Sequence, residues 1–148
     1  MAFSSSVYHQ VDDKYRIRIP VKFKAALGND FVFVAGDQPC ISVYPRASWD
    51  ERVENMMRKV RESGGDPVKL KAMRRILRSV EDEIKEDQQN RITISPTLRE
   101  HMGLKKGDRE LITFGADDHI EIWKVDKLDE YEGEMSVTAA YAEVGFFS

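Results

Sequence analysis

Two short segments of the chain alternate apolar and polar residues with the period of a β-strand. In "RIRI", residues 16–19, the two isoleucines are predicted to point into a core and Arg16 and Arg18 to point outward. In "RITI", residues 91–94, the isoleucines again point inward and Arg91 points outward. Each segment is therefore predicted to be a strand with one buried face.

A short helix and then a pair of strands are predicted after each of these segments. The first helix starts at Pro20 and ends at Gly28, while the second has Ser95 as its N-cap and Pro96 in its first turn. The paired strands are "FVFVA" with "CISVY" in the first set, and "ELITF" with "HIEIW" in the second.

The two sets of elements belong to an internal repeat with an offset of 75 residues, which becomes 79 after a four-residue insertion. Each copy has about 35 residues, too few to form a stable core alone. Two copies are therefore predicted to pack together as a pseudo-dimer. The matched positions are Asp12, Arg16, Ile17, Ile19, Lys24 and Leu27 with Asp87, Arg91, Ile92, Ile94, Arg99 and Met102, then Gly36, Ile41, Val43 and Tyr44 with Gly115, Ile120, Ile122 and Trp123.

A helical hairpin is predicted between the copies. Ser48 and Glu51 have the spacing of a capping box, and Asp66 is a candidate N-cap for the second helix. The apolar stripe of that helix continues to Ile84 and is predicted to form core or subunit contacts.

The C-terminal tail has no strong periodicity and is predicted to be a mobile arm. Within one domain of residues 1–148, the expected parts are a first half, the hairpin, a second half and an acidic tail: 3–49, 50–84, 85–124 and 125–148.

The composition is that of an ordinary globular protein, with 41% hydrophobic and 9% aromatic residues among 148. No apolar run approaches the ~20 residues that a membrane span needs, so no membrane partner is expected. Cys40 is the only cysteine, which excludes an internal disulfide framework and favours a cytoplasmic location. Its apolar neighbours predict a buried side chain rather than a nucleophile.

The net charge of −3 is unevenly distributed. Residues 11–24 carry a net charge of +3 and residues 52–78 a net charge of +6, whereas residues 107–148 carry −8. Such asymmetry suggests a basic working face on an acidic protein. Charge alone leaves open the alternative of solvated helix and strand faces.

The sequence shows no catalytic or metal-binding constellation. His9, His101 and His119 are scattered, without the spacing of metal ligands, and no glycine-rich phosphate loop is present. No enzyme activity, metal, cofactor or small-molecule substrate is therefore expected.

The repeated Asp-x-x-x-Arg phrase is the best candidate for a binding site. An outward arginine at a strand end presents the fixed donors that suit phosphate or the edge of guanine, and the preceding Asp12 or Asp87 can hold it in one rotamer. Lys14 and Arg18 add charge beside Arg16. Lys22 and Lys24 on the short helix could also reach a nucleic-acid backbone. The alternative is two surface salt bridges worth ~0–1 kcal/mol each, and the residues alone leave both open.

Taken together, these phrases resemble the MraZ family of bacterial transcriptional regulators, whose halves each resemble the SpoVT/AbrB swapped-hairpin module. The resemblance runs from Phe3 to about Trp123 and rests on "DDKYRIRIP", "SVYPRASW", "DQQNRITIS" and "IEIW" in that order, with Arg75 twelve residues before Asp87. It implies an α+β fold, a pseudo-dimeric swapped-hairpin β-barrel made from the two repeats, with the helical hairpin inserted between them.

The resemblance also implies a function. MraZ proteins bind double-stranded DNA at direct repeats in the promoter of the division and cell-wall gene cluster, typically as repressors, and form ring-shaped homo-oligomers on the nucleoid. Carried over, Lys14, Arg16 and Arg91 match the DNA-binding positions and Asp12 and Asp87 the supporting aspartates.

The sequence departs from the family pattern in three ways. Tyr15 and Asn90 replace the glycine that usually precedes the motif arginine. Because tyrosine tolerates a left-handed backbone poorly, the first loop is expected to differ in shape from the second. Ser5 replaces a glycine near the N-terminus. Gln88 and Gln89 replace basic residues, so the second copy is expected either to bind DNA less strongly or to support assembly chiefly. The alternative function is an antitoxin-like or assembly module that binds a protein partner.

Overall fold

The computed structural model describes residues 3–148 and shows a mixed α+β fold with two antiparallel sheets and, in this part of the chain, six helices. The strands are β1 Ser6–Gln10, β2 Arg16–Ile17, β3 Phe31–Ala35, β4 Ile41–Pro45, β5 Ile92–Thr93, β6 Glu110–Gly115 and β7 Ile120–Lys124. The helices are α1 Val21–Leu27, α2 Arg46–Glu62, α3 Pro67–Arg78, α4 Pro96–Met102, α5 Val125–Glu132 and α6 Val137–Val144.

Five strands form one antiparallel sheet in the order β1-β6-β7-β4-β3, and β2 pairs with β5 in a separate two-stranded ribbon. The predicted pairs β3–β4 and β6–β7 are confirmed. The alternation pattern does not predict β1, which pairs with β6 from Ser6 opposite Phe114 to Gln10 opposite Glu110. Within residues 3–148 no ladder joins the edge strands β1 and β3, so the sheet is open and the predicted barrel is not confirmed.

The two halves of the chain interlock through these ladders. Strands β1, β2 and β4 of the first half pair with β6, β5 and β7 of the second. The main core uses equivalent positions from both copies, and burial of each such side chain contributes ~1.5–3 kcal/mol relative to exposure. The equivalent buried pairs are Ile17 with Ile92, Ile19 with Ile94, Phe23 with Leu98, Leu27 with Met102, Ile41 with Ile120 and Val43 with Ile122.

The short helices have the predicted ends. In α4 the hydroxyl of Ser95 accepts a hydrogen bond from the backbone N–H of Leu98 at 3.3 Å, and Pro96 occupies the first turn. Gly28 and Gly103 follow the two helices with the same positive φ of 73°, a conformation that favours glycine. The two turns differ beyond that point, because ψ is −164° at Gly28 and 24° at Gly103, but each leads into the next strand pair.

The helical hairpin is present, but the predicted capping box is wrong. Helix α2 begins at Arg46, directly after β4, and the backbone N–H of Arg46 donates to the carbonyl of Asp30 at 2.9 Å. Ser48 therefore lies inside the first turn and makes no capping bond. Asp66 does cap α3, accepting from the N–H groups of Val68 and Lys69 at 2.8 and 3.3 Å.

The apolar stripe of α3 is shorter than predicted, because the helix ends at Arg78. The chain then returns beside β3, where Glu81 and Phe33 exchange backbone hydrogen bonds of 2.9 and 3.0 Å. Val80 consequently packs on a small cluster at the outer sheet face, and Ile84 packs on the main core.

The C-terminal tail has more regular structure than predicted. Helix α5 follows β7 without a loop and packs on the outer face of the sheet through Leu128, which joins a cluster with Ile112 and Trp123. The Tyr131 ring lies 5.2 Å from that of Trp123. Helix α6 begins after Ser136, whose hydroxyl accepts from the N–H of Ala139 at 3.0 Å.

Candidate nucleic-acid interface

The two Asp-x-x-x-Arg phrases fold into loops with the same backbone hydrogen bonds. In the first loop the N–H of Asp12 donates to the carbonyl of Arg16 at 3.0 Å. In the second loop Asp87 donates to Arg91 in the same way at 2.9 Å. The residue before each arginine returns a bond of 3.0 Å to the aspartate carbonyl. The sequence repeat is thus also a repeat of local geometry.

Each aspartate side chain braces its own loop and its own arginine. Oδ1 of Asp12 accepts from the backbone N–H groups of Lys14 and Arg16 at 2.9 and 2.8 Å, and Oδ2 accepts from the Arg16 Nε at 2.7 Å. Asp87 makes the equivalent contacts to Gln89 and Arg91 at 2.8, 2.9 and 2.8 Å. The carboxylate uses only Nε, so it does not consume the four N–H groups on the terminal nitrogens of each guanidinium. Those groups have the geometry for a two-point contact with phosphate or guanine.

The same contacts keep both carboxylates ionised. For Asp87, the hydrogen bond from the backbone N–H of Arg91 lowers the pKa most, and partial burial opposes it. Bonds from the Arg91 guanidinium and the N–H of Gln89 lower it further, so the pKa falls to about 2. For Asp12, burial raises the pKa, but hydrogen bonds from Arg16 and Lys14 outweigh it and the pKa lies below its usual value. The ion pairs that join Asp12 to Arg16 and Asp87 to Arg91 are therefore intact at neutral pH.

The two loops have the same backbone conformation at the residue before the arginine, so the prediction that they differ in shape is wrong. Tyr15 and Asn90 both adopt a left-handed φ of 60°. Tyr15 is held there by contacts from the second half of the chain: its carbonyl accepts from the N–H of Ile94 at 2.8 Å, and the Arg99 guanidinium lies 4.0 Å from its ring centre. These contacts offset the ~1–2 kcal/mol that a left-handed backbone costs a residue with a side chain.

The ribbon of β2 and β5 brings the two loops to the same surface. Arg16 lies opposite Thr93 and Ile17 opposite Ile92, so the next position of the register places Arg18 opposite Arg91. Side chains directly opposite one another project from the same face of a ribbon. The face opposite the buried isoleucines therefore carries Arg16, Arg18 and Arg91 together.

Four arginines line one cleft of about 520 Å³ beside this ribbon: Arg16, Arg18, Arg91 and Arg109. Asp12 is the one carboxylate among the described residues that line it. His9 also lines the cleft, and burial lowers its pKa, so its imidazole is neutral near pH 7. The cleft is strongly basic although the chain is acidic overall.

Arg109 is the site residue that the repeat pattern does not reveal. It precedes β6, and its carbonyl accepts from the N–H of Val11 at 3.0 Å, which places it next to the first loop. Its only sequence signal is a basic residue at the start of a predicted strand. Its proximity to the loop depends on the β1–β6 pairing, which joins residues about 100 positions apart.

The predicted lysines lie outside the cleft. Lys14 is exposed in the first loop and contributes its backbone N–H to Asp12. The Nζ of Lys22 donates to the hydroxyl of Ser5 at 2.6 Å, and the Nζ of Lys24 forms an ion pair with Glu86 at 3.0 Å. The charge of Lys24 is therefore partly neutralised by Glu86. The cleft owes its positive charge to the four arginines and not to these lysines.

No group of three or more potential metal ligands occurs within residues 3–148. No helix in that part of the chain is long and apolar enough to cross a membrane.

The fold and the cleft define a duplicated α+β protein with an arginine-lined surface suited to a polyanion. Residues 2–63 and 79–144 match the family described as "MraZ protein, putative antitoxin-like", each segment carrying one copy of the repeat, and the chain belongs to the MraZ family.

Full-length relatives support this assignment. The chain is 35% identical over 138 residues to the transcriptional regulator MraZ of Saccharopolyspora erythraea, covering 90% of this chain and 92% of the relative. It is 32% identical over 142 residues to the transcriptional regulator MraZ of Pelotomaculum thermopropionicum, covering 96% of this chain and 92% of the relative. It is 34% identical over 134 residues to the transcriptional regulator MraZ of Moorella thermoacetica, covering 90% of this chain and 89% of the relative. These relatives are named as regulators of transcription, so the prediction that the chain is not an enzyme is confirmed.

Proposed function

We propose that this protein is a sequence-specific DNA-binding regulator of transcription, with the arginine-lined cleft as its DNA-binding surface. The observation that carries the proposal is the convergence of Arg16, Arg18, Arg91 and Arg109 in one cleft, with two of them braced by aspartates. An arginine held in one rotamer loses less side-chain entropy on binding than a free one. The names of the relatives support the same function.

The proposal extends to the biological target and the assembly. The protein acts as a repressor at direct repeats in its own promoter, upstream of the division and cell-wall genes, and associates with the nucleoid. Its two halves exchange hairpins in the manner of SpoVT/AbrB modules, which the cross-half pairs β1–β6 and β2–β5 support. A ring of subunits presents successive clefts to successive repeats, so that weak contacts combine through effective concentration.

The test is binding of purified protein to labelled DNA from upstream of its own gene, over a salt series, with a scrambled duplex for comparison. Binding is expected to prefer the upstream DNA and to weaken with a log-log salt slope of about −0.9 per neutralised phosphate. Arg16→Ala is expected to cost about 1–3 kcal/mol and to reduce the preference. Arg58→Ala, on the exposed face of α2, is the matched control and should bind like the parent.

One observation favours a second function, that of an antitoxin-like module with a protein partner. The matched family carries that description. A protein interface of this kind is mostly apolar, so binding to the partner would respond weakly to salt and would survive Arg16→Ala. Equal affinity for upstream and scrambled DNA, unchanged by Arg16→Ala, would favour this function over DNA recognition.

A further inference from the structure

Helices α2 and α3 enclose an apolar groove of about 830 Å³ that nothing in residues 3–148 fills. Val53, Met56 and Val60 of α2 face Met73 and Ile76 of α3 across it. Neither helix has a fully buried side chain, although both have an apolar stripe at helical spacing. The hairpin is thus an amphipathic pair with one face uncovered.

The C-terminal segment is an apolar helix that is also uncovered. Val137, Tyr141 and Val144 follow the i, i+4, i+7 spacing of one helix face, and α6 has no buried residue. Phe146 and Phe147 are 66% and 77% exposed, and their rings lie 5.2 and 4.7 Å from that of Tyr141. These residues form a single aromatic patch at the end of the chain.

The two uncovered surfaces are complementary in charge and size. The described groove lining has a net charge of +1, and residues 136–148 contain one glutamate, Glu143, and no lysine or arginine. Lys59 and Lys69 line the groove, as does the ion pair between Arg52 and Asp118; the remaining charge there is Glu51. At 1.5 Å per residue, α6 is about 12 Å long and α3 about 18 Å, so the groove can hold the helix.

We propose that the groove between α2 and α3 binds the C-terminal helix, residues 136–148, of a second copy of this chain. This deepens the oligomeric part of the proposed function, on which it rests, by naming the contact. One copy supplies a groove and the other a helix, so the contact is head-to-tail and can propagate or close into a ring. Buried aromatic side chains contribute about 150–250 Å² each. Tyr141, Phe146 and Phe147 are 41%, 66% and 77% exposed, so together they supply roughly 280–460 Å², up to about half of the roughly 800 Å² per partner of a stable interface.

The test measures the mass of the full chain by sedimentation or light scattering without DNA. The parent is expected to form multiples of 17.0 kDa whose population increases with concentration. A tail variant, Phe146→Ser with Phe147→Ser, and a groove variant, Met73→Lys, should each raise the apparent dissociation constant at least tenfold. Val68→Glu is the matched control on α3, because Val68 is 76% exposed and lies outside the groove lining. It should keep the parental mass.

Mixing the two defective variants gives the sharpest result. The intact helix of the groove variant can enter the intact groove of the tail variant, but no further contact follows, so the mixture should yield a species of two chains. This outcome also shows that both variants are folded. A monomeric parent, unchanged masses of the variants, or a mixture that fails to associate would overturn the proposal. Arg16→Ala should keep the parental mass whether or not it binds DNA, which separates failure of this contact from failure of the DNA-binding function.

Discussion

The guanidinium carbon of Arg99 lies 4.0 Å from the centre of the Tyr15 ring. Arg99 belongs to α4 in the second half of the chain, and Tyr15 to the motif loop of the first half. The contact therefore joins the two halves at the point where a tyrosine adopts a left-handed backbone. The contact with Arg99 helps to hold Tyr15 in the same left-handed conformation that Asn90 adopts more easily in the second loop.

The contact predicts that the effects of mutations at the two positions are coupled. Arg99→Ala should lower the free energy of unfolding by about 0.5–1 kcal/mol, the usual contribution of a cation–π contact at a partly exposed site. Tyr15→Asn gives the first loop the asparagine that the second loop has at position 90. In that background Arg99→Ala should change the free energy of unfolding little further. Urea denaturation of the four proteins measures the coupling. Arg74→Ala, on the exposed face of α3, should instead combine additively with Tyr15→Asn, and additivity at Arg99 would exclude the contact.

Local patterns predict most of the repeated unit. The alternation at Ile17, Ile19, Ile92 and Ile94 correctly predicts four buried side chains, although the strands themselves cover only Arg16–Ile17 and Ile92–Thr93. Ser95 correctly marks a helix start. These features depend on neighbours within a few residues, which the sequence displays directly. The duplicated loop is predictable for the same reason, since Asp12 and its arginine are four residues apart.

Features set by distant contacts are not predictable in this way. Tyr15 tolerates φ of 60° only because Ile94 and Arg99 support it from the other half. Arg109 reaches the cleft through the β1–β6 ladder. Helix α2 starts at Arg46, whose first-turn N–H bonds to the carbonyl of Asp30, so the local capping signal at Ser48 does not mark the helix start.

The braced aspartate of the second loop should titrate far below an ordinary one. The pKa of Asp87 lies at about 2, against roughly 3.9 in a free peptide. Because the folded pKa is lowered, its contribution to stability is present above about pH 3.9 and is lost as the pH falls toward 2. NMR titration of the carboxyl group measures this directly. In Arg91→Ala the pKa should rise only part of the way, because the backbone N–H at position 91 still donates. An unchanged pKa in that variant would show that the guanidinium does not contribute.

His119 should give stability a dependence on pH near neutrality. Burial lowers the pKa of His119, but hydrogen bonds to Glu121 at 3.2 Å and Asp118 at 2.9 Å outweigh it, so the pKa is raised. The resulting stabilisation is complete below the unfolded pKa of about 6.5 and is lost as the pH rises through the folded pKa.

A comparison of the parent with His119→Phe between pH 6 and pH 8 tests this effect. Phenylalanine keeps a ring beside Tyr44, 4.4 Å away, but cannot carry the charge. The difference in urea midpoint between the two proteins should therefore shrink as the pH rises. Other titrating groups cancel in this difference, so a constant difference across the range would contradict the role of the charged imidazole.

Arg109 should contribute to DNA affinity without setting sequence preference. It lines the cleft with Arg16, Arg18 and Arg91, but it lies before β6, outside the two braced loops. A side chain in that position is expected to contact phosphate, so Arg109→Ala should weaken binding to upstream and scrambled DNA by the same factor. The log-log salt slope should fall in magnitude by about 0.9. Lys106→Ala, three residues away on the exposed connection and outside the cleft lining, is the control and should leave the slope unchanged. A loss confined to upstream DNA would instead mean that Arg109 reads a base, and no loss would remove it from the interface.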